Sequence, residues 1–372
     1  MKQLALAATA LTVAAGTAQA GGLDRSYTPI DMIFEKGNYA ELSFGYVMPS
    51  ISGGDLLGNS ISNIAADFGL ASTGVKLDIT EKLSFALIYD QPYGADTRYG
   101  GNPAATLLGG TAAEAETHAI TALFKYQPTD RMSVFAGPRA VKSSGEITLS
   151  GIGYSVASGY NVKFSSDTGY GYVVGGAYEI PDIAFRASLT YHSSVDVSMN
   201  SVENIPVAAG GPGFAVPTGP TDSEIPQSIS LDVQSGIAKD TLLFGGIRWS
   251  EWSAFSLQPP GLGSNLAELD DTITYEIGIG RRFTVKFSAS LSISYEDGGS
   301  DDLVSPLAPT NGQTAISLGG KYELSDAVTL SGGIRYTMFG NAQPEVGTPD
   351  TSLGNFTDND AISAGLKLGF HF

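Results

Sequence analysis

Strict alternation of apolar and polar residues is the feature of this chain that most limits how it can fold. The alternation is clearest from Val285 to Glu296, where apolar residues take the odd positions and lysine, serine and glutamate the even ones. Successive side chains of a strand point to opposite faces, so a strand separates the two classes completely, whereas a helix would mix them. The same pattern recurs at residues 185–192, 228–233, 273–279 and 362–372. These segments therefore predict strands with one apolar and one polar face.

We expect fourteen such strands, joined by connections that alternate in length. Six connections are tight, as at Thr129-Asp130 and Lys239-Asp240, and the seven others are long and rich in glycine, proline and small polar residues, as at 92–115 and 200–222. Short turns at one end, long loops at the other and an even strand number are typical of outer-membrane barrels. The strands are predicted to begin near Tyr39, Phe68, Lys82, Glu116, Met132, Gly169, Ile183, Ser223, Thr241, Asp271, Val285, Thr314, Ala327 and Asp360.

The predicted fold class is therefore all-β: a transmembrane antiparallel up-and-down β-barrel with 14 strands. A soluble β-sandwich or propeller shows the same alternation, so the alternation alone does not separate these classes. The loop lengths favour the barrel, as do the apolar residues at every second position before Phe372. That ending is the pattern read by the outer-membrane barrel assembly machinery, which is an expected partner. A barrel with more than about eight strands has a lumen, so something must occupy or constrict it.

The first twenty residues predict a cleaved signal peptide. Lys2 precedes a stretch of small and apolar residues, and Ala18-Gln19-Ala20 is a small-x-small cleavage site. The apolar stretch is too short for a membrane helix, which needs about 20 residues. The chain then divides into a signal peptide at 1–20, a short N-terminal plug segment at 21–38 and the barrel at 39–372. The expected location is the outer membrane of a Gram-negative bacterium, in contact with lipid and lipopolysaccharide.

Composition argues against several other functions. A net charge of −18 disfavours nucleic acid, because phosphate binding needs a basic surface. The chain has no cysteine and three histidines, none at metal-ligand spacing to another, and His192 and Ser193 point to opposite faces of a predicted strand. We therefore expect neither an enzyme nor a cofactor or metal. Acidic pairs such as Asp301-Asp302 are interpreted as solvated loop residues, with cation bridging to lipopolysaccharide as the alternative.

Short motifs in the barrel region are similar to those of a known family. A strand at 225–237 opens with a proline-containing segment, the turn Ala238-Lys239-Asp240 follows, and residues 246–255 end in Trp-Ser-Ala-Phe. The segment from Tyr89 to Gly94 and the strand at 287–295 fit the same pattern. In order and spacing, these motifs make most of residues 39–372 resemble the FadL-type outer-membrane transporters.

The resemblance implies passive uptake of hydrophobic small molecules, such as long-chain fatty acids or aromatic hydrocarbons. The ligand would be held in a lumen pocket and released through a lateral opening, with an N-terminal hatch plugging the lumen. Here the hatch is short, and an Asn-Pro-Ala sequence occurs only in a long loop at 102–104. Plugging would then fall partly to inward-folded loops. A general diffusion porin for small polar solutes and a structural or adhesive barrel remain the alternatives.

Strand parity identifies candidate ligand-binding residues in the lumen. These are Arg139, Arg248 and Arg335, with Asp90, Asp232 and Glu276 as lumen charge partners. One arginine that is not fully neutralised would bind a ligand carboxylate, and a salt-bridge network that braces the wall is the alternative. Arg335 is the favoured anchor, because Asp232 and Glu276 are expected to neutralise Arg248.

Two further predictions concern the plug and the wall. Ile33 and Phe34 are too apolar for a free periplasmic tail, so we expect them to fold into the lumen and touch the wall. Pro92 cannot donate a ladder hydrogen bond, so it is predicted to interrupt the third strand and open the wall laterally. The alternative for Pro92 is that it merely begins a loop.

Overall fold

Fourteen antiparallel strands close into one barrel, as the alternation predicts. The computed structural model describes residues 23–26, 28–299, 301–347 and 351–372, and the predicted signal peptide lies outside these ranges. The first strand pairs with both the second and the last, at Tyr39↔Lys76 and Tyr39↔His371, which removes every sheet edge. The strands are β1 Tyr39–Ser50, β2 Phe68–Asp78, β3 Leu83–Asp90 and Gly94–Arg98, β4 Ala112–Thr129, β5 Met132–Leu149, β6 Tyr160–Ile180, β7 Phe185–His192 and Val195–Asn204, β8 Ala215–Ile225 and Ser228–Ala238, β9 Thr241–Ser250, β10 Thr272–Arg282, β11 Phe287–Glu296, β12 Gln313–Glu323, β13 Val328–Phe339 and β14 Asp360–His371.

The two faces of the strands meet different solvents. On β11, Leu291, Ile293 and Tyr295 are exposed on the outer face, whereas Ser290 and Ser292 are buried toward the lumen. Large apolar side chains are exposed on the outer face of every strand, and outward tyrosines stand near both ends of the wall. Examples are Tyr46, Tyr275 and Tyr336 at the long-loop end and Tyr126, Tyr178 and Tyr322 at the short-turn end. An outward apolar band between aromatic girdles is the arrangement that faces lipid.

Several strands extend farther beyond the outward apolar band than the sequence predicts. β4 begins at Ala112 and β6 at Tyr160, earlier than the predicted Glu116 and Gly169. The hairpin of β7 and β8 also continues through much of the segment predicted as a loop at 200–222. Pro217, Gly219 and Pro220 hide the extension of β8 in the sequence, because proline and glycine weaken a strand pattern. The extensions carry the long-loop end of the barrel above the apolar band.

The loops at this end add three-stranded sheets and short 3-10 turns. Gly53–Asp55 pairs with Ser60–Ile61 and Gly354–Phe356, and Gln343–Val346 pairs with Leu303–Val304 and Thr351–Ser352. The 3-10 turns in these loops are Ile152–Ala157, Val207–Ala209 and Trp252–Ala254, whereas Pro181–Ile183 forms a short turn at the other end and Asp31–Phe34 lies in the N-terminal segment. Within the described ranges, no helix is both long and apolar enough to cross a membrane.

Candidate functional site: an apolar pocket beside a break in the wall

An apolar pocket lies in the long-loop end of the barrel. Above the apolar band the inward faces of the strands change from polar to apolar, as at Ile147, Phe164 and Val197. The loop between β9 and β10 adds Phe255 and Leu257 to the same buried cluster. Together they enclose a cavity of about 80 Å³. Its other apolar lining residues are Leu23, Ala95, Ala113, Met199, Ile225, Ala267, Leu269, Leu307 and Ala308.

Aromatic rings pack in the same buried cluster. Trp252 is 1% exposed, and its ring lies 5.5 Å from the ring of Tyr93 and 5.9 Å from that of Phe255. The indole nitrogen of Trp252 donates to Asp24 at 3.0 Å, so the polar edge of the ring has a partner. The rings therefore connect the loop, the third strand and the N-terminal segment around the pocket.

Next to this pocket, the wall is interrupted at Gln91, Pro92 and Tyr93. The ladder between β2 and β3 ends at the pair Thr73↔Tyr89. Beyond it, the segment that precedes β2 bonds to β3 again where the Ala66 amide donates to the Asp96 carbonyl. Between them, the side chain of Gln91 accepts from the Ala71 amide at 2.9 Å in place of a backbone group. The two segments of β3 pair with β4 on the other side, across a bulge. Pro92 thus lies between strand segments, not at the start of a long loop.

The N-terminal segment pairs with this interruption from inside. Gly94 donates to Leu23 at 3.0 Å, Arg25 donates to Pro92 at 2.7 Å, and Asp24 forms a bridge with Tyr93. Leu23 also lines the apolar pocket. The break in the wall, the pocket and the start of the described chain are therefore neighbours.

Farther along the N-terminal segment, the predicted plug residues pack against the lumen wall. Ile33 is fully buried in a cluster with Ala86, Ile88 and Leu123, which point inward. The Phe34 ring lies 5.7 Å from the ring of Phe135, and the Arg186 guanidinium lies 4.4 Å from its centre. The carboxylate of Asp31 lies 3.8 Å from Arg186. The segment thus contacts several strands of the barrel at once.

The predicted lumen arginines all point inward, but they meet different partners. Arg248 forms an ion pair with Asp24 of the N-terminal segment at 3.4 Å, a partner that the sequence analysis did not predict. Arg335 donates to the hydroxyls of Ser294 at 2.8 Å and Thr337 at 3.4 Å, and in the described part of the chain it forms no ion pair with a carboxylate. Arg139 is 2% exposed and lies 5.9 Å from the centre of the Tyr93 ring.

The predicted acidic partners line the same polar interior. Asp90 is 2% exposed and accepts from the Ser26 hydroxyl at 2.7 Å, which ties it to the N-terminal segment. Asp232 and Glu276 line a polar cavity of about 240 Å³ that also contains Arg248 and Arg335. Serines and threonines supply much of the remaining lining. The barrel therefore holds two different interiors, an apolar pocket near the long loops and a polar cavity elsewhere in the lumen.

The sequence pattern predicts the polar interior but not the apolar pocket. Several pocket residues, such as Ala95, Ala113 and Leu257, lie on segments predicted as loops, where an apolar residue carries no periodic signal. Residues 195–199 do carry a signal. Val195, Val197 and Met199 face inward, whereas the inward face of the preceding segment of β7 is polar. This change of face can be recognised only when it is known that β7 continues beyond His192.

Comparisons with known proteins agree with this architecture. A family model described as outer membrane protein transport protein (OMPP1/FadL/TodX) matches residues 33–371. No curated protein matches the sequence. Among solved structures, a Pseudomonas aeruginosa FadL homologue is 16% identical, with 97% of this chain and 98% of that chain covered and a TM-score of 0.74. The toluene transporter TodX of P. putida is 16% identical over 92% of both chains, with a TM-score of 0.68.

A third structure, the toluene transporter TbuX of Ralstonia pickettii, is 14% identical, with 96% of this chain and 97% of that chain covered and a TM-score of 0.63. At these identities the likeness establishes a shared fold. The family model spans nearly the whole chain. The protein therefore belongs to the outer membrane protein transport family (OMPP1/FadL/TodX) and is an outer-membrane β-barrel.

Proposed function

We propose that the protein is a passive channel through which fatty acids or aromatic hydrocarbons leave the barrel sideways, into the outer membrane. The observation that carries this proposal is the apolar pocket beside the break at Pro92. Burying apolar surface favours a hydrophobic ligand by about 25 cal/mol per Å². The names of related structures, a toluene transporter and a monoaromatic hydrocarbon channel, fit ligands of this chemistry.

The route we propose runs from the long loops into the apolar pocket and then out through the break in the wall. Leu23 and Ala95 line the pocket and lie next to the interrupted part of β3. Residues 23–26 would have to shift for a ligand to pass, since they hydrogen bond with that part of β3. The polar cavity places charged side chains such as Asp232, Arg248 and Glu276 along the path through the lumen, so passage to the outside of the wall is favoured for a hydrocarbon.

The test is uptake by cells that express the protein, measured with a labelled hydrocarbon. Leu257→Asp places a charge in the pocket lining and should lower uptake about tenfold or more, because a buried charge without a partner is costly. The matched control is Leu56→Asp, a loop leucine that is 65% exposed and should have little effect. Uptake unchanged by Leu257→Asp would contradict the pocket's role. Strong ion conductance of the intact protein in planar bilayers would instead support a general diffusion porin.

A further inference from the structure

The outer wall of the apolar pocket is formed by the loop at 251–271, here called the pocket loop. It joins β9 to β10 and contributes Phe255, Leu257, Ala267 and Leu269 to the lining. The tip of the pocket loop, around Gly261, makes contacts with residues of β7. The four lining residues lie on both sides of the tip in the sequence, so the contacts of the tip limit how far this part of the lining can move.

The tip is held by a buried carboxylate. Glu203 on β7 has no exposed surface, and its two oxygens accept from the backbone amides of Gly261 at 2.8 Å and Leu262 at 2.9 Å. The hydroxyl of Tyr160 donates to the same group at 2.7 Å, and that of Thr218 donates to it as well. Hydrogen bonds to a charged group are stronger than those between neutral groups. Moving the pocket loop breaks two of these bonds at a buried charge.

The pocket is small for a hydrophobic ligand. Its volume of about 80 Å³ is less than the roughly 150 Å³ of an engineered cavity that binds benzene. A single ring would need a slight expansion of the lining, whereas a long alkyl chain would need a larger displacement. The strands are fixed by their hydrogen-bonded ladders. Outside the strands, the pocket loop contributes more lining residues than Leu23 or the segment at 305–308, so its displacement enlarges the pocket most.

We propose that Glu203 determines the ligand size range by holding the pocket loop against the barrel. This inference rests on the proposed function and adds a residue that selects among hydrophobic ligands. A compact ligand binds with the two loop amides still bonded to Glu203. A long-chain ligand binds only when the loop is displaced and these bonds are lost. Glu203 acts through the loop and is a positioning residue.

Two variants release the pocket loop by different routes. Glu203→Gln weakens both loop contacts, because the side chain loses its charge. Gly261→Ala leaves the side chains of Glu203, Tyr160 and Thr218 in the chain, but the added Cβ would lie 2.7 Å from Ile205 Cδ1 and 2.8 Å from Glu203 Oε2, so the loop tip and the carboxylate cannot both keep their present positions. Ser264→Ala, an exposed position on the same loop, is the matched control. Heat-dependent mobility in detergent gels verifies that each variant forms a closed barrel.

Tryptophan fluorescence reports on the pocket through Trp252, whose ring packs against the lining residue Phe255. The chain has two tryptophans, and Trp249→Phe leaves only the buried Trp252, which belongs to the pocket cluster. In the Trp249→Phe protein, quenching of Trp252 fluorescence by bromobenzene measures the binding of a compact ligand. Quenching by 1-bromododecane measures the binding of a long ligand. Both variants should raise the affinity for 1-bromododecane about tenfold or more, as expected for the loss of one hydrogen bond to a charged group. Bromobenzene affinity should change less than the affinity for the long ligand.

The outcomes separate this inference from the function on which it rests. Equal changes for both ligands, or no change for either, while the unaltered protein is quenched, would overturn the role of Glu203 and leave the pocket standing. No quenching by either ligand in any form would contradict the pocket as a ligand site, and the role of Glu203 with it.

Discussion

Of Arg248 and Arg335, which both line the polar cavity, Arg335 has the partners that leave more of its charge available. Its guanidinium donates to two hydroxyls, whereas Arg248 is bound to a carboxylate of the N-terminal segment. Hydroxyl groups satisfy donors without neutralising the positive charge. A carboxylate that entered the polar cavity would therefore gain more at Arg335 than at Arg248.

We expect Arg335→Ala to weaken binding of a fatty acid about tenfold, because a hydrogen bond to a charged group is lost. Binding of an uncharged hydrocarbon of equal length should not change. Arg281→Ala, an exposed position at the end of β10, is the control. Displacement of a fluorescent fatty acid measures the affinity of each variant for the fatty acid and for the hydrocarbon. Equal loss for the two ligands, or for neither, would leave Arg335 with a bracing role alone.

Residue orientation followed from the sequence, but residue partners did not. A period of two places Arg248 and Arg335 inward, and the structure agrees. The ion pair of Arg248 with Asp24 joins residues 224 positions apart, and the N-terminal segment has no periodic pattern that would bring it there. Orientation is a local property of the strand, whereas pairing depends on the path of a segment outside the sheet.

At the scale of elements, the interruption of β3 is the feature that separates this wall from a continuous ladder. At the gap between β2 and β3, the Ala71 amide donates to the Gln91 side chain. Residues 23–26 hydrogen bond to β3 at the same place, next to Pro92 and Gly94. Alternation and turn spacing predicted the number of strands and where most strands end at the short-turn end of the barrel. They did not predict the extensions above the apolar band, where proline and glycine interrupt the pattern of β8 and the inward face of β6 changes from polar to apolar.

Joining the two sides of the gap should block the proposed lateral exit. The chain has no cysteine, so Ala71→Cys with Gln91→Cys allows one specific bridge by a cleavable thiol cross-linker. We expect uptake of hydrocarbon to fall several-fold after cross-linking and to recover when a reductant cleaves the bridge. Ile277→Cys with Ile293→Cys, a directly paired position in an intact ladder, is the control. Full uptake after complete cross-linking would place the exit elsewhere.

For the molecule as a whole, the N-terminal segment connects strands that lie apart in the barrel. It connects to β3, β7 and β9 through Asp90, Arg186 and Arg248, and it buries Ile33 against the wall. A barrel of this size has room for a passage between its inward side chains. We therefore propose that this segment, with the inward-packed loops, keeps the lumen closed to ions.

Deleting residues 22–36 should raise single-channel conductance in planar bilayers several-fold, because the segment's contacts with the wall are removed. Deleting residues 209–213, at an exposed loop tip, is the control and should leave conductance unchanged. If both proteins conduct like the intact one, the loops alone close the barrel.

The polar cavity has a consequence for where the proposed transport ends. A ligand with the apolar area of an aromatic side chain, about 200 Å², would lose about 5 kcal/mol on exchanging hydrocarbon surroundings for water. The lipid around the barrel imposes no such loss. The preference of the ligand for lipid over water then sets the direction of transport. The ligand accumulates in the membrane as a reservoir, without an energy source. Accumulation in the cell would be governed by how quickly later steps empty that reservoir.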